Sequence, residues 1–215
     1  MKLIFLGPPG AGKGTLAGLA AKELGIPQIS TGDIFRDAIK RETELGRQVK
    51  AIVGRGDLVP DELTVSLVRE RLAEPDAASG YILDGFPRTI PQAEALEGFE
   101  QLDAVVNFVI GDDVVITRLT GREVCRACGA IYHVRNMPSK VKGVCDRCGG
   151  QTYTRPDDAL ESITNRLEVY KRQTEPLVAF YRQRGLLRDV DSSTTPEATL
   201  AGVRAALGRR SISGV

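Results

Sequence analysis

KLIFL, residues Lys2 to Leu6, runs directly into GPPGAGKGT, residues Gly7 to Thr15. The first segment is apolar and of strand length, and the second is dense in glycine and proline. From Lys13 to Leu24 the pattern becomes helical, and Gly25 ends it. Strand, glycine loop and helix in that order form a phosphate cradle. The glycines let backbone N–H groups turn inward, the helix points its positive end at the bound oxygens, and Lys13 adds a full charge. Gly7, Gly12 and Lys13 have Walker A spacing, except that Gly14 stands between Lys13 and Thr15. The competing reading is a chance glycine-rich turn, and the flanking strand and helix argue against it.

Outward from this loop, apolar runs of strand length recur at Tyr81 to Leu83, Ala104 to Ile110 and Leu186 to Val190. Helical patterns lie at Asp33 to Lys40, Asp61 to Ala73 and Ala159 to Arg184, with Pro176 expected to break or kink the last. Strands alternating with helices predict an α/β fold with a parallel sheet covered on both faces. From about Glu123 to Pro156 the helical period is lost and Gly, Pro and paired Cys appear, as in a small irregular module inserted into the α/β domain. The polar tail Gly208 to Val215 reads as frayed.

The 215 residues suit one domain with an insertion and suffice for a full core. A net charge of +1 speaks against a generally basic nucleic-acid binder, although 21 of the 29 basic residues are arginine, the side chain shaped to grip phosphate bidentately. Met1 to Phe5 leave no room for a secretory leader, and no apolar run reaches the roughly 18 residues that span a bilayer. The expectation is a soluble, cytoplasmic monomer with no membrane or nucleic-acid partner.

Cys125-Arg126-Ala127-Cys128 and Cys145-Asp146-Arg147-Cys148 are two C-x-x-C knuckles with 16 residues between them. That spacing suits a closed four-cysteine site for structural zinc, tying together an insertion too small for its own core. Gly129 and Gly149 each follow a knuckle, where the chain must turn tightly. A redox dithiol or a nucleic-acid-binding zinc ribbon are the rival readings.

GPPGAGKGT with its extra Gly14 resembles the loop of adenylate kinases. Further matches run along the chain in order: Ser30-Thr31-Gly32-Asp33, Gly56 to Pro60, Asp84 to Thr89, Gln92, Gly121-Arg122 and Thr154 to Asp158. The cysteines resemble the zinc-containing, long-lid prokaryotic members. The resemblance implies a P-loop three-layer sandwich, with core segments 1–29, 60–121 and 160–215, a helical AMP-binding segment 30–59 and a zinc-bearing lid 122–159. It implies reversible transfer of the γ-phosphoryl group of ATP, with Mg²⁺, to AMP, giving two ADP. Another nucleoside-monophosphate kinase acting on CMP, UMP or GMP is the nearest alternative, and an ATPase with a nucleic-acid-binding zinc ribbon a remote one.

Residue by residue, the resemblance implies that Lys13, Arg88, Arg122, Arg155 and Arg166 neutralise the transferring phosphoryl group, with Arg118 in support. ATP would meet Gly10, Ala11, Gly12, Lys13, Gly14, Thr15, Arg118, Arg122, Ile131, Tyr132 and Thr194. AMP would meet Thr31, Arg36, Asp57, Leu58, Val59, Gly85, Phe86, Pro87, Arg88, Gln92, Arg155 and Arg166. Asp84, at a strand end, would stand near Mg²⁺ through water. His133 falls in the lid, over ATP in the family, with a packing role weighing equally. Two features depart from the family: Glu123 follows Arg122 where a second arginine is common, and Asp191-Ser192-Ser193-Thr194 replaces the usual Asp-Gly.

Overall fold

The structure, a computed structural model, describes residues 1–208 of the chain, so the tail beyond Gly208 lies outside the described residues. In chain order its elements are β1 (Lys2–Leu6), α1 (Lys13–Leu24), β2 (Gln28–Ser30), α2 (Thr31–Lys40), α3 (Glu44–Arg55), α4 (Asp61–Leu72), β3 (Tyr81–Asp84), α5 (Ile90–Glu97), β4 (Ala104–Val109) and α6 (Asp112–Thr120). Then come β5 (Arg122–Cys125), β6 (Ile131–His133), β7 (Thr152–Tyr153), α7 (Leu160–Val169), a π-helical turn (Tyr170–Thr174), α8 (Pro176–Gln183), β8 (Leu187–Asp191) and α9 (Pro196–Ala206).

β1 is apolar from Leu3 to Leu6 because it is covered on both faces and flanked on both edges. Five strands in the order β2-β3-β1-β4-β8 pair in parallel. On one face Leu3, Phe5, Val106 and Phe108 pack against Leu16, Ala17 and Ala20 of α1 and Leu200 and Val203 of α9. On the other, Ile4, Leu6, Leu83 and Val105 pack against Val68 of α4, Ala93 and Leu96 of α5, and Leu177 and Tyr181 of α8. The expected three-layer α/β sandwich is thus present. All five strands point the same way, so their carboxyl ends open onto one crevice, where open parallel sheets bind ligands.

Two modules project over that end. α2 and α3 enclose a small core of Phe35, Val49 and Val59. Their backbones approach so closely that a Cβ on Gly46 would lie 2.1 Å from the Ala38 carbonyl oxygen, so only glycine fits there. The second module is a three-stranded antiparallel sheet, β6-β5-β7, with Cys125, Tyr132 and Cys145 buried beneath it.

The short strand β2 and the helices α3, α5, α6 and α9 were not foreseen from apolar period. Local caps explain three of the helices: Thr43 accepts from Gly46 N, Thr89 from Gln92 N and Thr195 from Ala198 N. The segment Glu123 to Pro156 is less irregular than expected, since β5 to β7 order it. The Ala159 to Arg184 pattern is broken as Pro176 demands, by a specific device. The chain widens into a π turn, in which Glu175 N donates to Tyr170 O at 2.9 Å, and α8 restarts with Pro176 at its first turn.

Candidate active site

The loop between β1 and α1 wraps the end of the central strand. Gly7 has φ of 143°, and a Cβ there would lie 2.8 Å from the Phe108 carbonyl oxygen, so the turn is open to glycine alone. Lys13 Nζ donates to Gly7 O and Pro8 O, each at 2.7 Å, which folds the ammonium back onto the start of the loop. Burial pulls this ammonium down to about 8, with Arg88, Arg166 and Arg122 adding to the pull and Asp84 opposing it. A site so crowded with positive charge is built to receive anions. Ser192, at the end of β8, donates its hydroxyl to Ala11 O and so ties the last strand to the cradle.

Asp84 closes β3 with its carboxylate near Lys13. Burial raises its pKa, while Lys13 and Arg88 lower it. Its Oδ2 would stand 3.3 Å from a Cβ on Gly14, so Gly14 keeps the carboxylate close to the cradle.

Beyond Asp84 the chain enters a cavity lined by Thr31, Arg36, Asp57, Leu58, Val59, Gly85, Arg88, Gln92, Arg155 and Arg166, ten of the twelve residues assigned to AMP from the sequence. Gly32, Phe35, Val53, Gly56, Thr64 and Asp157 complete the lining. The two exceptions are Phe86 and Pro87: Phe86 points into the sheet core against Leu83 and Leu96, and Pro87 is buried beside it, so their side chains do not face the cavity. Arg88 is held along its length. Its N–H donates to Gln92 Oε1 at 2.7 Å, its carbonyl accepts from Thr174 Oγ1 at 2.8 Å, and its Nε donates to Gly85 O at 2.7 Å. Arg36 Nη2 donates to Asp33 Oδ1 at 2.5 Å from the same rim.

Three guanidinium groups converge between the cavity and the antiparallel module. Arg122 grips Asp158 bidentately, at 2.7 Å through Nε and 2.5 Å through Nη2. Arg155 does the same to Asp157, and Arg166 reaches both, at 3.2 Å each. Burial would raise the Asp157 carboxyl, but Arg155 and Arg166 overcome it and hold it at about 2. Burial likewise lowers Arg166, to about 10, still fully protonated at neutral pH. Neither aspartate carries a role in the sequence reading, although both lie in one of its motifs. Their signal was two carboxylates directly after Arg155-Pro156 in an arginine-rich chain: buried like charges need counter-charges before any ligand arrives.

The remaining ATP-side candidates are spread more widely. Arg118 Nη2 donates to Thr194 O at 3.0 Å, which brings these two together at the end of α6. Ile131 is exposed on β6. Tyr132 is turned away from the cleft: its hydroxyl accepts from Asp146 N at 2.8 Å and contacts Cys145 Sγ at 3.3 Å, so its side chain serves the cysteine cluster instead. His133 is likewise committed. Its Nδ1 accepts from the N–H groups of Arg135 and Asn136, leaving Nε2 to donate to Thr117 O at 3.2 Å. The packing reading of His133 is therefore the one its contacts support.

The Sγ atoms of Cys125, Cys128, Cys145 and Cys148 all lie within 4.8 Å of one another, with Cys125–Cys148 at 3.5 Å and Cys128–Cys145 at 3.6 Å. Four sulfurs at zinc–sulfur bond length span tetrahedral edges of about 3.8 Å, so the cage has the size and donor set of a closed zinc site. Gly129 N and Gly149 N donate to the Cys125 and Cys145 carbonyls at 3.1 and 2.8 Å, two equivalent turns related by the knuckle repeat. The Tyr132 hydroxyl pulls the Cys145 thiol down to about 6. Against the Gly150 N–H, which favours the thiolate, crowding by Cys128 and Cys125 pushes Cys148 up to about 12. Four sulfur donors this close together could hold one metal ion.

A family model described as adenylate kinase matches residues 5–186. The chain is similar to the adenylate kinase of Moorella thermoacetica, 53% identical over 214 residues, covering 97% of this chain and 99% of that one. It is 52% identical over 212 residues to the adenylate kinase of Carboxydothermus hydrogenoformans, covering 96% and 99%. The adenylate kinase of Archaeoglobus fulgidus is 49% identical over 212 residues, covering 96% and 98%.

Proposed function

The chain belongs to the adenylate kinase family, and from that premise we propose how its own residues carry phosphoryl transfer between ATP and AMP. It is a phosphotransferase: an oxygen of the AMP phosphate attacks the γ-phosphorus of ATP, the bond from that phosphorus to the β,γ-bridging oxygen breaks, and two ADP result. The attacking oxygen is already anionic at neutral pH, so no base has to take a proton. Catalysis then consists of alignment and charge neutralisation.

The observation that carries the assignment of roles is the convergence of Lys13, Arg88, Arg122, Arg155 and Arg166 between the glycine loop and the Thr31 to Gln92 cavity. Gly10 to Thr15, with Arg118 and Thr194, hold ATP. Arg36 and Arg88 clamp the AMP phosphate, and Thr31 and Gln92 face its base. Asp84 is the carboxylate available to the Mg²⁺ that ATP brings with it. Asp157 and Asp158 keep the three nearby guanidinium groups close while no phosphate is present, and the substrates' oxygens take over as counter-charges.

Residues 30–59 act as the AMP-binding segment and 122–159 as the lid over a core of 1–29, 60–121 and 160–215. Support comes from Lys40 Nζ, which donates to Arg126 O at 3.3 Å and so bridges the two modules across the site. Closure brings Arg122 and Arg155 onto the phosphates and excludes water, the competing acceptor. Cys125, Cys128, Cys145 and Cys148 would hold zinc, which supplies a structural cross-link to a lid with only three short strands. The enzyme works as a cytoplasmic monomer on small nucleotides, with neither membrane nor nucleic acid as partner; among the described residues no helix is long and apolar enough to cross a membrane.

The deciding experiment is a coupled assay with Mg·ATP and AMP, CMP, UMP or GMP in turn. AMP is expected to be the preferred acceptor, and equal or better turnover with another monophosphate would replace this reading with that of a different nucleoside-monophosphate kinase.

A further inference from the structure

We propose that Asp61 is a specificity-determining positioning residue, which locks the Gln92 carboxamide in the orientation that reads a 6-aminopurine and refuses a 6-oxopurine. The proposal rests on reading the Thr31 to Gln92 cavity as the acceptor site. Gln92, in the first turn of α5, is 1% exposed and lines that cavity. Its Oε1 accepts from the Arg88 N–H at 2.7 Å, and its Nε2 donates to Asp61 Oδ1, on the first residue of α4, at 2.6 Å.

These two partners leave no choice of amide orientation. A carboxylate only accepts and a peptide N–H only donates, so turning the amide over would set oxygen against oxygen and N–H against N–H, losing both buried bonds. Held in place, the amide has one lone pair and one N–H left, an acceptor beside a donor. That pair complements the amino group and neighbouring ring nitrogen of adenine. A 6-oxopurine presents the reverse, a carbonyl acceptor beside a ring N–H, and needs the amide turned. With its phosphate held by Arg36 and Arg88, the base cannot reverse itself instead. Thr31 reinforces the choice, because its hydroxyl spends its proton on Gly85 O at 2.8 Å and has only acceptor capacity to offer an amino group. Asp61 is not among the residues lining the cavity, so its influence passes through Gln92.

Asp61→Asn preserves shape but replaces an obligate acceptor with an amide that either donates or accepts, so that the Arg88 N–H alone still opposes a turn of Gln92. With saturating Mg·ATP, kcat/KM is measured for AMP and for inosine monophosphate on the same preparation, so any loss of folded enzyme cancels in the ratio. The AMP preference is expected to fall at least about tenfold, the size of one buried hydrogen bond, with KM for AMP raised and KM for Mg·ATP unchanged. An unchanged preference overturns the role of Asp61. Gln92→Ala separates the two levels of the argument. If it lowers kcat/KM for AMP while Asp61→Asn leaves the preference intact, only the lock is wrong. If Gln92→Ala leaves AMP use and preference intact, the acceptor-site reading fails and the lock with it.

Discussion

Removing the Asp158 carboxylate tests whether the arginine cluster is held together by its own counter-charges. The Asp158 side chain is 0% exposed, and it accepts from Arg122 at 2.7 and 2.5 Å and from Arg166 at 3.2 Å. In Asp158→Ala, Arg122 has no remaining carboxylate within salt-bridge distance among the described residues, whereas Arg166 keeps Asp157. Breaking a buried pair by removing one partner costs about 3–5 kcal/mol. The Arg122 and Arg166 side chains are 15% and 18% exposed, so water relieves part of the loss and the low end, about 3 kcal/mol, is expected. For a chain of this length that is a fall in Tm of about 6–12 °C. Denaturant unfolding and calorimetry read it directly. Saturating ADP is expected to narrow the gap, because its phosphates restore the missing negative charge, and kcat is expected to fall as Arg122 loses its fixed position. A loss below about 1 kcal/mol, the level of a solvated surface pair, would mean that Asp158 is not the counter-charge holding Arg122 in place.

Asp157, held at about 2 against an ordinary 3.8, contributes stability that is complete above the unfolded value and lost as pH falls from about 4 towards 2. The shift corresponds to about 2 kcal/mol, so Asp157→Asn is expected to flatten the acid limb of the stability profile over that window; an unaltered limb removes Asp157 as its source. Arg88→Ala is expected to lower kcat at least about 100-fold, since a charge contact made in the transition state is lost, and near-normal kcat takes Arg88 out of the mechanism. Elemental analysis is expected to find one zinc per chain, and chelation under reducing conditions to lower Tm reversibly; a metal-free preparation with unchanged Tm would rule out the structural metal. Gly121→Ala places a Cβ 2.4 Å from His133 Nε2, inside a ring fixed by three hydrogen bonds. A stability loss of about 1–3 kcal/mol is expected from that overpacking, and unfolding curves matching the parent would show that the ring yields.

Much of this protein is legible in its sequence because the signals are local. The phosphate loop, the strands from Lys2 to Leu6 and from Ala104, the end of α1 at Gly25 and the two cysteine knuckles each lie within a few residues, where backbone sterics and ligand spacing act. Helices announced by caps rather than by period were missed, α5 among them, because Thr89 closes its first turn with a single side-chain hydrogen bond that an apolar pattern does not register.

Local pattern alone carried the glycine loop, the α/β class and the spacing of the cysteine knuckles. How the clustered arginines are tolerated, and what orients Gln92, depends on contacts made across the fold. Asp158 reaches Arg122 across 36 residues, and Asp61 reaches Gln92 across 31. Tyr132 and His133 turned inward for a comparable reason, since the hydroxyl and the imidazole each found buried partners in a module too small to leave them unsatisfied. Burial and the pairing it compels depend on which distant groups the fold brings together, and no local pattern encodes that.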